Sequence, residues 1–407
     1  MSKQQLRRNI AKSDQFNRMG FKETREAAEG MMTKEFTSDM VKQMLENANT
    51  LVRGNVTIKL AKAYGFCWGV ERAVAIAYET RKQYPDDRIW ITNEIIHNPI
   101  VNQRMREMDI FFVPQEGMKK DLSGIQQRDV VVLPAFGATL EEMQYLNNLG
   151  CRIVDTTCPW VSKVWHTLER HRKASCTSII HGKWKHEETV ATSSFADAYL
   201  VVLNMDEAMY VTDYILNGGD KAHFLEKFKN AMSDGFDPDT DLDAVGIANQ
   251  TTMLKSETTA IGKLFERTMM QKFGPAELTQ HFVAYDTICD ATQERQDAMY
   301  ELLADKDSID IMLVVGGFNS SNTSHLQEIA EHAGITSYWV DRPECIGAKN
   351  TILCRTSQGE EKVVEDWLPM RSVTIGLTSG ASTPDKVVED VLERVFMLSK
   401  LGQPSGA

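Results

Sequence analysis

Residues 56–82, VTIKLAKAYGFCWGVERAVAIAYETRK, hold a short apolar β-like run, then Cys67, then a helical pattern. The arrangement returns around Cys158 in residues 151–173, CRIVDTTCPWVSKVWHTLERHRK, and around Cys289 in residues 281–305, HFVAYDTICDATQERQDAMYELLAD. Asp155-Thr156-x-Cys158 and Asp286-Thr287-x-Cys289 repeat one D-T-x-C word. A cysteine at a helix start lies at the positive end of the peptide dipole, which favours thiolate over thiol. Three thiolates at three matching strand-to-helix turns suit convergence on one metal centre.

Outward from these turns the chain keeps alternating. Short apolar runs such as RIWITNEII, DVVVLPAFG, AYLVVL, SIDIMLVVGG and SVTIGLTSG separate longer helical patterns. This alternation predicts an α/β fold with largely parallel sheets, whose ligands bind at the C-terminal ends of strands. A second polar turn follows each cysteine at similar spacing: His97 after Cys67, His186 after Cys158 and Ser320 after Cys289. A third turn follows at Gly137, Thr251 and Ser379. The repeat predicts three related α/β lobes, at 56–150, 151–284 and 285–400, set about a pseudo-threefold axis. Residues 1–55 read as a polar, partly helical N-terminal extension without chemistry, and 401–407 as a tail. The segment 217–243 reads as a surface insertion with an acidic, loop-like end.

Composition narrows the class. The 407 residues carry 42% hydrophobic and 25% charged residues, the balance of a soluble globular protein with a normal core. The net charge of −12 argues against a nucleic-acid binder, although a net count does not see a local basic patch. No apolar stretch is long enough to span a bilayer. The N-terminus has no apolar signal region and no transit-peptide composition. A cytoplasmic location is the expectation, with the plastid stroma for a eukaryotic source. Seven cysteines in a long chain argue against a disulfide framework. Cys151, Cys176, Cys345 and Cys354 read as small buried hydrophobes.

Cys67, Cys158 and Cys289 lie 91 and 131 residues apart, and no close pair of the structural-zinc kind accompanies them. Soft thiolates also suit an iron–sulfur cluster, in which three ligands leave one iron of four open to substrate. Spacing alone leaves zinc, iron–sulfur and no metal all standing. The turns NQTTM (249–253), NSSN (319–322) and TSGAS (378–382) offer hydroxyls and backbone N–H groups at helix starts, as a phosphate cradle does. Each is equally an ordinary N-cap. His97 and His186 are further donors, and Glu188 is a candidate proton donor with Glu187 beside it. A zinc-dependent phosphoesterase, a non-enzymatic iron–sulfur carrier and a nucleotide-sugar-type α/β protein with merely buried cysteines are the competing readings.

Taken in order, GFCWGVERA, NEIIHNP, DTTCP, HEET, NQTTM, DTIC, NSSN and TSGASTP resemble the LytB family of 4-hydroxy-3-methylbut-2-enyl diphosphate reductases, over residues 56–397. The N-terminal extension and the LPAFGA wording are similar to the branch found in oxygenic phototrophs. The resemblance implies a trefoil of three lobes around a central 4Fe-4S cluster held by Cys67, Cys158 and Cys289, with one open iron. It implies diphosphate contacts from His97, His186, Ser320, Ser321, Asn322 and Ser382. Thr251 matches the threonine that relays to the substrate hydroxyl, and Glu188 the proton-donating glutamate. The implied reaction is reductive dehydroxylation of an allylic diphosphate, the last step of the methylerythritol phosphate route. No G-x-G-x-x-G follows a strand here, so the electron source is expected to be external; the resemblance implies reduced ferredoxin or flavodoxin as the donor. A homodimer, no membrane and no nucleic-acid partner complete the expectations. Two departures stand out: Phe136 occupies a turn where many members carry His, and His186-Glu187-Glu188 replaces H-P-E.

Overall fold

The structure is a computed structural model and describes residues 3–401, so the expected tail lies outside it apart from Leu401. The chain forms two compact units: Met1–Gly20, Tyr84–Asn93 and Ile110–Cys289 make the first, and Phe21–Gln83, Glu94–Asp109 and Asp290–Ala407 the second. Each has its own apolar core.

Besides a two-stranded hairpin of Gln115–Glu116 and Lys119–Lys120, the first unit contains two larger sheets. In one, parallel strands lie in the lateral order Arg152–Asp155, Val130–Leu133, Ile89–Ile91, Ile110–Phe112. In the other the order is Phe282–Ala284, Val245–Asn249, Thr177–His181, Tyr199–Val202, again all parallel. In the second unit, the parallel part of a larger mixed sheet runs Val56–Leu60, Val373–Ser379, Ile311–Val315, Ser337–Val340. One order therefore occurs three times: the strand before a cysteine, the strand of a third turn, the strand of a second turn, then an outer strand. Val130–Leu133, Val245–Asn249 and Ile311–Val315 are buried along their whole length, which suits their largely apolar runs.

These sheets cut across the expected lobe boundaries. Arg152–Asp155, expected in the second lobe, pairs with Val130–Leu133 of the first. Val56–Leu60, expected in the first, pairs with Val373–Ser379 of the third. At Cys158 the reason is that the turn is a crossover between sheets. The helix Pro159–Lys173 follows Cys158, yet it packs on Thr177–His181 and Val245–Asn249 of the other sheet through Val161, Val164, Trp165 and Leu168. The strand before the cysteine and the helix after it thus serve different layers.

The extension is built into both units. Phe16–Asn17 adds a parallel strand beside Ile153–Val154, and Thr50–Arg53 pairs antiparallel with Val56–Leu60. In the second unit the helix Lys22–Phe36 packs on Trp68–Gln83, where Glu35 accepts a two-pronged contact from Arg104, 2.9 and 2.7 Å, and the Tyr78 hydroxyl. The segment 217–243 differs from its expectation. Its helix Lys221–Phe228 buries Phe224 and Phe228, Phe236 joins them, and Asp237 and Asp239 hold Lys221 at 2.6 and 3.1 Å. Its acidic end is a brace over an aromatic cluster. Among the described residues no helix is long and apolar enough to cross a membrane.

Candidate functional site

The three cysteine turns share one construction. Cys67 and Cys289 immediately precede the helices Trp68–Gln83 and Asp290–Leu303, and Cys158 caps Pro159–Lys173. Each cysteine N–H donates to the carbonyl two residues beyond the end of the neighbouring strand: Cys67 to Ala381 (3.0 Å), Cys158 to Ala135 (2.9 Å) and Cys289 to Thr251 (3.3 Å). In the D-T-x-C words the aspartate accepts the N–H two residues on, from Thr157 at 3.0 Å and from Ile288 at 3.2 Å. The threonine then ties to the neighbouring strand end, Thr156 to the Leu133 carbonyl at 2.6 Å and Thr287 to the Asn249 side chain. The repeated word is thus a local device that fixes the cysteine backbone against the third turn.

Two glycines show how close these turns lie to their supports. Gly137 has φ +87°, and a Cβ there would meet the Trp165 ring at 2.5 Å. Gly65 has φ +69°, and a Cβ there would lie 2.8 Å from the Asp385 carboxylate. Arg295, 3% exposed, donates to the Tyr64 and Gly65 carbonyls at 3.1 and 2.6 Å and steadies the Cys67 turn. Sequence reasoning missed Arg295, because a lone arginine inside a helical pattern carries no signal of burial.

In the first unit the structure brings Glu188, Thr251, His186 and the Cys289 backbone into one hydrogen-bonded group. Glu188 is 3% exposed, and its two carboxylate oxygens accept from Thr251, one from N–H at 2.6 Å and one from the hydroxyl at 2.9 Å. His186 caps the short helix Glu187–Ser193, its Nδ1 accepting from the Glu188 N–H at 3.2 Å. In a neutral ring that leaves the proton on Nε2. Phe136 meets the His186 ring edge-on at 6.2 Å. The position of the first departure is therefore an apolar wall beside this histidine. Gln250 went unnoticed in the sequence: its side-chain oxygen accepts from Lys183 N–H and the Thr189 hydroxyl, both at 3.1 Å, and joins the NQTTM turn to the His186 loop.

The second unit holds a further hydrogen-bonded group. His97 is 7% exposed with Nδ1 2.9 Å from Glu94, and its carbonyl accepts from Ser382 at 3.1 Å. Gly317 passes so close that a Cβ would lie 2.3 Å from that carbonyl. Asn322 accepts from Ala381 N–H at 2.9 Å, and Ser320 caps Ser321–His332 by accepting from Thr323 N–H at 3.2 Å. So Ser320 and one side of Asn322 serve the fold. Ser321 Oγ and Asn322 Nδ2 are buried and have no hydrogen-bond partner among the described residues. Orphaned buried donors cost about 1–3 kcal/mol each, a cost that an anionic ligand would offset. In the NQTTM turn Thr251 gives both of its donors to Glu188.

A scan against protein families matches the LytB protein family over residues 58–396. The chain belongs to the LytB family. A LytB relative from Nostoc sp., named 4-hydroxy-3-methylbut-2-enyl diphosphate reductase, is 59% identical over 398 residues, 98% of each chain. One of the same name from Thermosynechococcus vestitus is 58% identical over 405 residues, the full length of both. The solved structure of the E-1-hydroxy-2-methyl-but-2-enyl-4-diphosphate reductase from Plasmodium falciparum shares the fold, with TM-score 0.61 and 20% identity over 83% of this chain and 86% of that one. The cysteine chemistry of this LytB chain divides the seven thiols clearly. Cys151, Cys176, Cys345 and Cys354 are buried, and burial raises all four, Cys151 and Cys345 to about 11. Cys67, Cys158 and Cys289 are partly exposed at helix starts, the setting that suits soft thiolate ligands. Partly exposed thiolates of this kind fit the iron–sulfur chemistry of the LytB family.

Proposed function

We propose that the chain is an iron–sulfur 4-hydroxy-3-methylbut-2-enyl diphosphate reductase. It converts the allylic alcohol, with two electrons and two protons, to isopentenyl or dimethylallyl diphosphate and water. Cys67, Cys158 and Cys289 are the thiolates for one 4Fe-4S cluster. When bound, such a cluster supplies stored electrons and a Lewis-acidic iron that no protein side chain occupies.

The observation that carries the reading is the buried Glu188–Thr251 pair, built on the turn whose carbonyl holds Cys289. Protonated Glu188 donates to the Thr251 oxygen, and the Thr251 proton turns to the departing hydroxyl, so that water leaves. The diphosphate is held by His97, His186, Ser320, Ser321, Asn322 and Ser382, with Ser321 Oγ and Asn322 Nδ2 as its waiting donors. Phe136 excludes water beside His186. Electrons come one at a time from reduced ferredoxin or flavodoxin. A cytoplasmic location and a homodimer go with this reading.

Anaerobic incubation with the hydroxylated diphosphate and a reduced viologen dye tests it. The expected result is both dehydroxylated diphosphates, with two dye equivalents oxidised per product. Release of phosphate without dye oxidation would replace the reductase by a phosphoesterase.

A further inference from the structure

The chain is acidic overall, yet one part of its surface is not. The helix Pro159–Lys173 buries Val161, Val164, Trp165 and Leu168 and leaves Lys163, His166, Arg170 and Lys173 exposed. Steps of three and four residues put all four on one face. The N-terminal arm lies along the same helix. Arg7 stacks over Trp165 at 4.5 Å, and Arg18 donates to Ser162 at 2.7 Å and sits 3.7 Å from Asp155. Residues 3–20 carry five Lys and Arg against one acid, Asp14, and the helix carries four against one, Glu169, in a chain of net charge −12. Asp155 is fully buried beneath Arg18, and Glu169 is engaged by Arg172 at 2.8 Å. His166 is held below its ordinary value by partial desolvation and then by Arg7, Arg18, Arg8 and Arg170, each of them cationic.

We propose that this face, made by residues 3–20 and the helix Pro159–Lys173, is the docking surface for an acidic one-electron carrier protein. The inference rests on the reductase reading, which requires an external electron source. Three observations favour this occupant. The helix begins at Cys158, and Lys163 lies only about 8 Å further along its axis. These two segments together carry nine Lys and Arg against two acids in a chain of net charge −12, so a negative carrier is drawn toward this face. Contact groups of the kind that anchor protein interfaces sit among the cations. Met19 is 82% exposed, Trp160 lies under Lys163 at 4.6 Å, and Tyr285 under Arg170 at 4.9 Å. The N-terminal extension thereby gains a task, since Arg7, Arg8 and Arg18 supply much of the field.

The test compares the holoenzyme with its K163E/R170E variant, both of whose altered side chains are exposed and outside the proposed chemistry. The probe is an acidic [2Fe–2S] ferredoxin, and reduced methyl viologen is the donor that needs no docking. Oxidised ferredoxin is titrated calorimetrically at rising NaCl, and turnover is measured with each donor. The variant should bind ferredoxin about tenfold or more weakly at low salt, with a flatter salt dependence, and lose ferredoxin-driven kcat/KM alike. Its viologen-driven turnover should match wild type. Unchanged ferredoxin binding and kinetics in the variant would overturn the proposal. So would selective loss of duplex DNA or anionic-vesicle binding with ferredoxin kinetics intact, which would assign the face elsewhere. Absence of viologen-driven turnover in wild type would instead sink the reductase reading itself.

Discussion

Glu188→Gln separates a proton from a fold. The Thr251 N–H is a fixed donor 2.6 Å from one Glu188 oxygen, so the glutamine carbonyl must take that side. The new amide NH2 then faces the Thr251 hydroxyl, 2.9 Å from the oxygen it replaces, and that hydroxyl turns to accept. Both contacts survive between neutral groups, so the stability of the fold should change by no more than about 1 kcal/mol. The transferable proton does not survive. Positioned acid catalysis contributes about 10²–10⁴ in rate, or roughly 3–5 kcal/mol of barrier. Turnover should therefore fall by about that factor while the protein stays folded and coloured. Thr251→Val removes the relay hydroxyl and leaves a carboxylate oxygen unbonded, so it should be comparably slow. Because both side chains act on one proton, the double variant should be about as slow as Glu188→Gln alone. Anaerobic single-turnover assays with a reduced dye, normalised to bound iron, give these rates. Glu188→Gln activity near wild type, or losses that multiply in the double variant, would refute the relay.

Gly137→Ala should destabilise the first unit by about 2–5 kcal/mol, since a methyl at φ +87° meets the Trp165 ring at 2.5 Å; urea unfolding measures it. Ser321→Ala should stabilise the unliganded protein by about 1 kcal/mol, because it deletes an orphaned buried hydroxyl, and should raise KM for the diphosphate. Burial raises Asp385 from 3.8 to about 6, against Lys42, with Glu71 adding to the rise. A raised carboxyl favours the protonated native state, so its contribution is full below about pH 4 and is lost as pH climbs through 6, roughly 3 kcal/mol in all. Asp385→Asn should remove about 2 kcal/mol of the pH dependence of stability, followed by urea unfolding between pH 4.5 and 7.5.

The cysteine turns were legible because their chemistry is local. D-T-x-C writes an aspartate that accepts an N–H two residues on, and both copies do so. The parallel strands were legible for the same reason, as buried Val and Ile runs ending at polar turns. Lateral pairing was not legible. Val56–Leu60 pairs with Val373–Ser379 more than 300 residues away, and nothing in either run names its neighbour. The Glu188–Thr251 pair entered through family resemblance, because a carboxylate and a hydroxyl 63 residues apart carry no mutual signal in one sequence. The aromatic content of 217–243 was visible, but its acidic end concealed a helix that buries Phe224 and Phe228. The basic face was hidden by the net charge of −12 and by the distance in sequence between the arm and its helix.

Iron and acid-labile sulfide in the anaerobically purified chain, and in its Cys67→Ser, Cys158→Ser, Cys289→Ser and Cys345→Ser variants, test the cysteine assignment most directly. Wild type and Cys345→Ser should each hold about four irons and four sulfides per chain and stay brown, while the other three variants lose both. Zinc in place of iron, or full iron and sulfide in any of the first three variants, would contradict the account.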